Sequence, residues 1–153
     1  MAGPPGGTKL HDAVPLRASN GVRIVGARTV SAAVAIASAV FGRDGQPPPA
    51  ERLTYLEREI EDFLARSGPR ARTMLSFMIW VVALVGPWLV GKLGPLGRLS
   101  QKERVRALSR LERRFGEPLI AVKAILCLLY YEHPDAARDV GFDGECHLPR
   151  GAA

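Results

Sequence analysis

The sequence predicts an all-α fold, a single-domain bundle of about five helices. Three features carry that expectation. Apolar residues recur at three- and four-residue spacing in one segment after another. Clusters of Pro and Gly, such as Gln46-Pro47-Pro48-Pro49 and Ser67-Gly68-Pro69, separate those segments. No alternating apolar/polar run suggests a strand, because β-branched pairs such as Val81-Val82 lie inside long helical stretches.

The chain divides into a Gly/Pro-rich N-terminal arm (1–27), a helical domain (28–145) and a short tail (146–153). The first helix is expected over 29–42, with Thr29 as N-cap and Gly42 as the stop. Arg17, Arg23 and Arg28 precede it, so a cleaved export signal competes with a core helix there. The Ala-rich composition and the lack of an adjacent arginine pair before it favour the core. A helix over 50–66 follows, with Leu53, Leu56, Ile60, Phe63 and Leu64 on one face and Glu51, Glu57, Arg58 and Glu61 on the other. The next spans 71–92 and contains nineteen residues, Thr73 to Gly91, without a charge. That length and composition suit a membrane span, a monotopic contact or a helix buried in protein. Trp80 and Trp88 lie within it, and Pro87 would kink a spanning helix.

Ser100 and Glu103 have capping-box spacing and open a basic helix over 100–115, with Val105, Leu108, Leu111 and Phe115 on its apolar side. Gly116 is expected to stop it. Pro118 opens the last long helix, 118–132, and Pro134-Asp135-Ala136-Ala137-Arg138 suggests one further turn.

At 153 residues, with 47% hydrophobic and 24% charged residues, the chain can bury a core and is not disordered throughout. The net charge is +6, which favours anionic partners. The arginines are dispersed, with neither an RNA-binding signature nor a recognition-helix pattern, so nucleic acid is not an expected partner. Cys127 and Cys146 are too few for a disulfide scaffold, and no CxxC is present. Cys127, His133, Cys146 and His147 match no standard metal spacing. Glu57, Glu61 and Asp62 share one helix and read as a solvated face rather than as acid/base catalysts. No GxSxG, HExxH or P-loop occurs, so no active site is expected on this chain.

The most distinctive text is Tyr130-Tyr131-Glu132-His133-Pro134 followed by Gly141-Phe142-Asp143-Gly144. Together with Leu99-Ser100, Glu103-Arg104, Leu108, Ala121 and Lys123, this succession resembles the gluconate 2-dehydrogenase subunit 3 family over roughly residues 28–145. The resemblance implies a helical accessory subunit, with no cofactor of its own, for a large FAD-dependent flavoprotein of the glucose-methanol-choline (GMC) type. It would assist that partner's folding, stability or membrane placement, and FAD and substrate would sit on the partner. Tyr130, Tyr131, His133, Pro134, Gly141, Phe142 and Asp143 are then the expected interface, with Trp80 and Trp88 as a second contact. The alternative is a protein held at a membrane by 73–91 without an oxidoreductase partner. Either way the expected location is membrane-associated or cytoplasmic.

Overall fold

The computed structural model describes residues 26–142, and among these it is an all-α bundle. Six helices occur: α1 (Ala27–Val40), α2 (Ala50–Arg66), α3 (Pro69–Leu89), α4 (Gln101–Arg114), α5 (Gly116–Tyr131) and the short α6 (Pro134–Asp139), with a 3₁₀ turn at Leu96–Arg98. α1 lies at the centre and packs against α2, α3, α4, α5 and the 3₁₀ turn. α4 lies along α3, whereas α2 lies against α1 and α5.

The centre is built from small residues. Ala33, Ile36 and Ala37 of α1 have no exposed surface, and they meet Leu56, Leu64, Val82, Leu96, Leu111 and Leu119 from the surrounding elements. Alanine has the highest helix propensity and the smallest side chain among helix formers, so neighbouring helices can close on α1 from several sides. α1 thus occupies the position of a core helix. Thr29 does not cap it: the N-cap is Gly26, and Thr29 is a buried residue whose Oγ1 accepts a hydrogen bond from Trp80 Nε1 at 3.2 Å.

Gly42 lies beyond the helix end, and its role is steric. A Cβ there would lie 2.5 Å from Gln101 Nε2, 2.6 Å from the Gln46 carbonyl and 2.8 Å from the Ser38 carbonyl. The chain then reverses through Arg43-Asp44-Gly45-Gln46. Arg43 and Gln46 exchange both backbone hydrogen bonds, and Asp44 and Gly45 have φ of 52° and 75°. Asp-Gly at two left-handed positions is the preferred chemistry of such a tight reversal.

Two further helix ends lie near glycines, and the two glycines play different parts. α4 ends at Arg114 and α5 begins at Gly116, with Phe115 serving both as C-cap and as N-cap. Gly116 is therefore the first residue of α5, not a stop. α3 does end in a glycine motif: Gly91 has φ 72°, Lys92 N–H reaches the Pro87 carbonyl at 3.0 Å and Gly91 N–H reaches that of Trp88 at 3.0 Å. This is the Schellman arrangement. Pro87 sits two residues before that end, and having no N–H it leaves the Ala83 carbonyl one turn back without its ordinary i→i−4 donor.

Arginine side chains satisfy several of the carbonyls left at helix ends and in the connections. Arg72 donates to the carbonyls of Leu64, Ala65 and Ser67 and so closes α2. Arg110 reaches the Leu89 carbonyl at 2.9 Å and closes α3. Arg104 donates to the carbonyls of Gly97 and Leu99 and to Ser38 Oγ, tying α4 to the 3₁₀ turn and to α1. At the start of α4, Glu103 accepts from Ser100 N–H at 3.0 Å and from the Ser100 hydroxyl at 2.9 Å, as the capping-box spacing predicts.

Gly42→Ala should destabilise the fold by about 1–3 kcal/mol, because two of the three atoms in the way are backbone carbonyls that cannot swing aside. A urea titration checks this; an unchanged midpoint would mean that the loop relaxes freely.

Candidate interaction surfaces

The residues singled out by the sequence separate into three groups. The first is structural. Tyr130 is only 5% exposed, and its ring stacks on Phe41 with centroids 4.0 Å apart and planes 5° from parallel. Burial leaves Tyr130 little surface to offer a partner beyond what it contributes to the wall of the cleft described below. His133 is the N-cap of α6: its Nδ1 accepts the Asp135 N–H at 3.3 Å, and its ring meets Tyr55 edge-on at 5.0 Å. Pro134 occupies the first position of α6, where a missing N–H costs nothing. Gly141 has φ 83° and ends α6 in a second Schellman motif, with Phe142 N–H on the Ala137 carbonyl at 3.0 Å and Gly141 N–H on that of Arg138 at 2.9 Å. Trp80 fastens α3 to α1 through Thr29.

The second group is exposed and apolar: Tyr131, Phe142 and Trp88. Tyr131 lies edge-on to both Phe41 and Tyr130, so its ring is held rather than free. Phe142 is set in place by the Schellman turn before it. The third group, Asp143 with Cys146 and His147, lies outside the described residues.

A cleft of about 320 Å³ opens beside this aromatic cluster, walled by Phe41, the Pro47–Pro49 segment, Tyr131, Arg52 and Asp139. Across it, Arg52 Nη1 meets Asp139 Oδ2 at 2.6 Å and so clamps α6 to α2. The pairing holds the Asp139 carboxyl below its ordinary value of 3.8, through the Arg52 hydrogen bond first and the nearby charges of Arg52, Arg43 and Arg138 after it. The Arg52 guanidinium is correspondingly raised, by Asp139 and then by the Tyr130 hydroxyl. Burial pushes the Cys127 thiol upward, with Lys123 pulling against it, which disfavours the reactive thiolate. Among the described residues no three His, Cys, Asp or Glu side chains converge on a point where a metal ion could sit.

The sequence reading named the apolar stretch 73–91 with Trp88 as a contact, but it did not single out an outer face on α5. On α5, buried Leu119, Val122, Leu126 and Leu129 face inward, while Ile120 (59% exposed), Ala124, Leu128 (70%) and Tyr131 line the outer side at four-, four- and three-residue spacing. On α3, Ile79, Val82, Ala83 and Gly86 are buried, and Met74, Phe77, Val81, Leu84 and Trp88 run along the opposite side. The signal was present: both helices are apolar all round, and a chain this small cannot enclose both.

The Arg52–Asp139 clamp makes α6 acid-sensitive. Because the folded carboxyl titrates below the unfolded one, its stabilising effect is complete above the unfolded value of 3.8 and disappears as pH falls through the lower, folded value. Asp139→Asn should therefore lower the urea midpoint at neutral pH, and the gap to wild type should close under strong acid. A gap that persisted there would assign the loss to packing rather than to charge. No protein-family model, curated protein or solved structure matches the chain.

Proposed function

We propose that the protein is a non-catalytic accessory subunit that works while docked on a larger partner through the outer face of α5 and the end of α6. The observation that supports this reading is the apolar strip Ile120, Ala124, Leu128 and Tyr131, continued in the chain by the exposed Val140 and Phe142. Large apolar side chains in a row on one face are what a permanent partner covers, and aromatic residues held in fixed rotamers lose little entropy when it does. The ends of the strip carry Glu117 and Glu132, and Lys123 at its side is engaged by Glu112 at 2.8 Å. The centre is thus free of charge that would have to be desolvated.

The resemblance described above supplies the kind of partner: a large FAD-dependent flavoprotein of the GMC type, which would hold the flavin and the substrate site. In this reading Tyr131 and Phe142 are contact residues. His133, Pro134 and Gly141 act indirectly by building the α6 turn that presents Phe142, and Tyr130 supports Tyr131 from within.

The test is recovery of the tagged chain from its host in mild detergent, with the partner identified and its visible spectrum recorded. A stoichiometric yellow partner with flavin absorption is the expected result. A colourless partner would leave docking intact and remove the flavoprotein assignment. Leu128→Glu places a charge at the centre of the strip and should weaken the complex by about 2 kcal/mol or more, while the exposed position leaves thermal stability nearly unchanged. Undiminished recovery of the partner with this variant would sink the α5 assignment.

A further inference from the structure

The outer face of α3 is a second bare apolar surface, and its surroundings differ from those of α5. Phe77 is 67% exposed and Trp88 72%, with Met74 and Leu84 between half and two-thirds exposed. The succession 74, 77, 81, 84, 88 follows a three-four repeat, so these side chains form one strip about 21 Å long, at 1.5 Å per residue. No acidic residue occurs anywhere on α3. Arg70 adjoins Met74 and Phe77 at one end of the strip. At the other end Leu89 shares a hollow with Arg110, Arg113 and Arg114 of α4.

Charge is segregated across the molecule in the same sense. α4, packed along α3, carries six cationic residues and two acidic ones, and both acids are engaged, Glu103 by Lys92 at 3.2 Å and Glu112 by Lys123. α2, packed on α1 and α5, carries five acidic residues and three cationic ones. Arg113 and Arg114 hold no ion pair among the described residues.

The geometry points to an anionic lipid surface as the occupant of this face, with α3 lying in the plane of the membrane. Phe77, Leu84 and Trp88 enter the boundary between headgroups and acyl chains, and Arg70, Arg106, Arg113 and Arg114 reach lipid phosphates from its margins. This is the combination by which interfacial helices bind: an apolar strip, an aromatic ring at the boundary and flanking cations. α3 is the one described helix long and apolar enough to cross a membrane. Crossing, however, would pull Ile79, Val82, Ala83 and Gly86 out of the core they share with α1 and α4, whereas lying flat uses only the face already bare. A second copy of the chain is disfavoured as occupant. Both ends of the strip are cationic, so parallel and antiparallel pairing alike would set arginine against arginine. The inference is independent of the α5 docking reading, because it uses a different face.

The test is sedimentation of the full-length chain with vesicles of equal parts phosphatidylglycerol and phosphatidylcholine, alongside Trp fluorescence. Wild type should pellet with these vesicles and not with phosphatidylcholine alone, less so as salt rises. Its emission should shift to the blue on binding, and Trp88→Phe should abolish that shift. Phe77→Ser with Leu84→Ser should reduce binding about tenfold or more. Arg113→Gln and Arg114→Gln, at exposed positions that leave the core untouched, should each weaken it about fivefold. Leu128→Glu should leave vesicle binding unchanged, which separates this surface from the partner surface. Equal binding to neutral vesicles, no binding at all, or indifference to the arginine substitutions would overturn the inference. So would a wild-type dimer in the absence of lipid that Phe77→Ser with Leu84→Ser converts to monomer, since the strip would then belong to a second copy.

Discussion

The bundle rests on the enclosure of α1. Four long helices and a 3₁₀ turn pack on one fourteen-residue helix, and they can do so only because its inward positions are small. Enclosure also traps Ser38, whose surroundings leave no route to water. Its hydroxyl donates back to the Ala35 carbonyl at 2.9 Å and accepts from Arg104, while its carbonyl takes the Gln101 side chain. A buried hydroxyl without partners would cost on the order of 1–3 kcal/mol. The start of α4 is thus positioned by a polar demand arising inside α1, and the register of α4 along α3 follows from it.

Enclosing one helix fully leaves the others half-bare. α2 and α4 meet this condition with polar outer faces. α3 and α5 do not, and their apolar outer faces are a property of the sequence that folding alone cannot explain. The two faces are not equivalent. The α5 strip is bounded by acidic residues and a neutralised lysine, a setting suited to a protein surface. The α3 strip is bounded by arginines that pair with no described residue, a setting suited to phosphate. The bundle therefore carries two chemically different apolar faces, which is why the two proposals assign them different occupants.

Much of the architecture was legible from residue patterns. α2 occupies the span its amphipathic pattern assigns, and the Ser100–Glu103 capping box forms as its spacing requires. The failures share a physical origin: local signals describe the chain's own preferences, and tertiary contacts override them. Thr29 has the chemistry of an N-cap, but a buried indole N–H claims its hydroxyl. Gly42 and Gly116 look like helix stops, yet one is required by close packing and the other begins a helix. Tyr130-Tyr131 reads as one aromatic signal. A helix turns about 100° per residue, so adjacent rings cannot face the same way, and one goes to the core while the other meets solvent. His133, Pro134 and Gly141 are distinctive because starting and stopping a six-residue helix leaves little freedom of residue type, which is a structural demand rather than a recognition code.

Net charge was the weakest guide until the structure divided the arginines by task. Arg52, Arg72, Arg104 and Arg110 are committed to carbonyls, to a carboxylate or to a buried hydroxyl. Each replaces a backbone cap or joins two elements that have few other polar links. Their charge is offset locally or shared with a helix C-terminus, where the macrodipole favours a cation. Among the described arginines without such a task, Arg70, Arg113 and Arg114 lie at the two ends of a single apolar strip, whereas Arg28, Arg43, Arg58, Arg98 and Arg106 line neither of the hollows there. Part of the chain's positive charge is thus bound up with how its helices are closed and joined. On the membrane proposal, the charge that bears on binding is the group at the ends of the α3 strip, and its position, not its magnitude, gives it meaning.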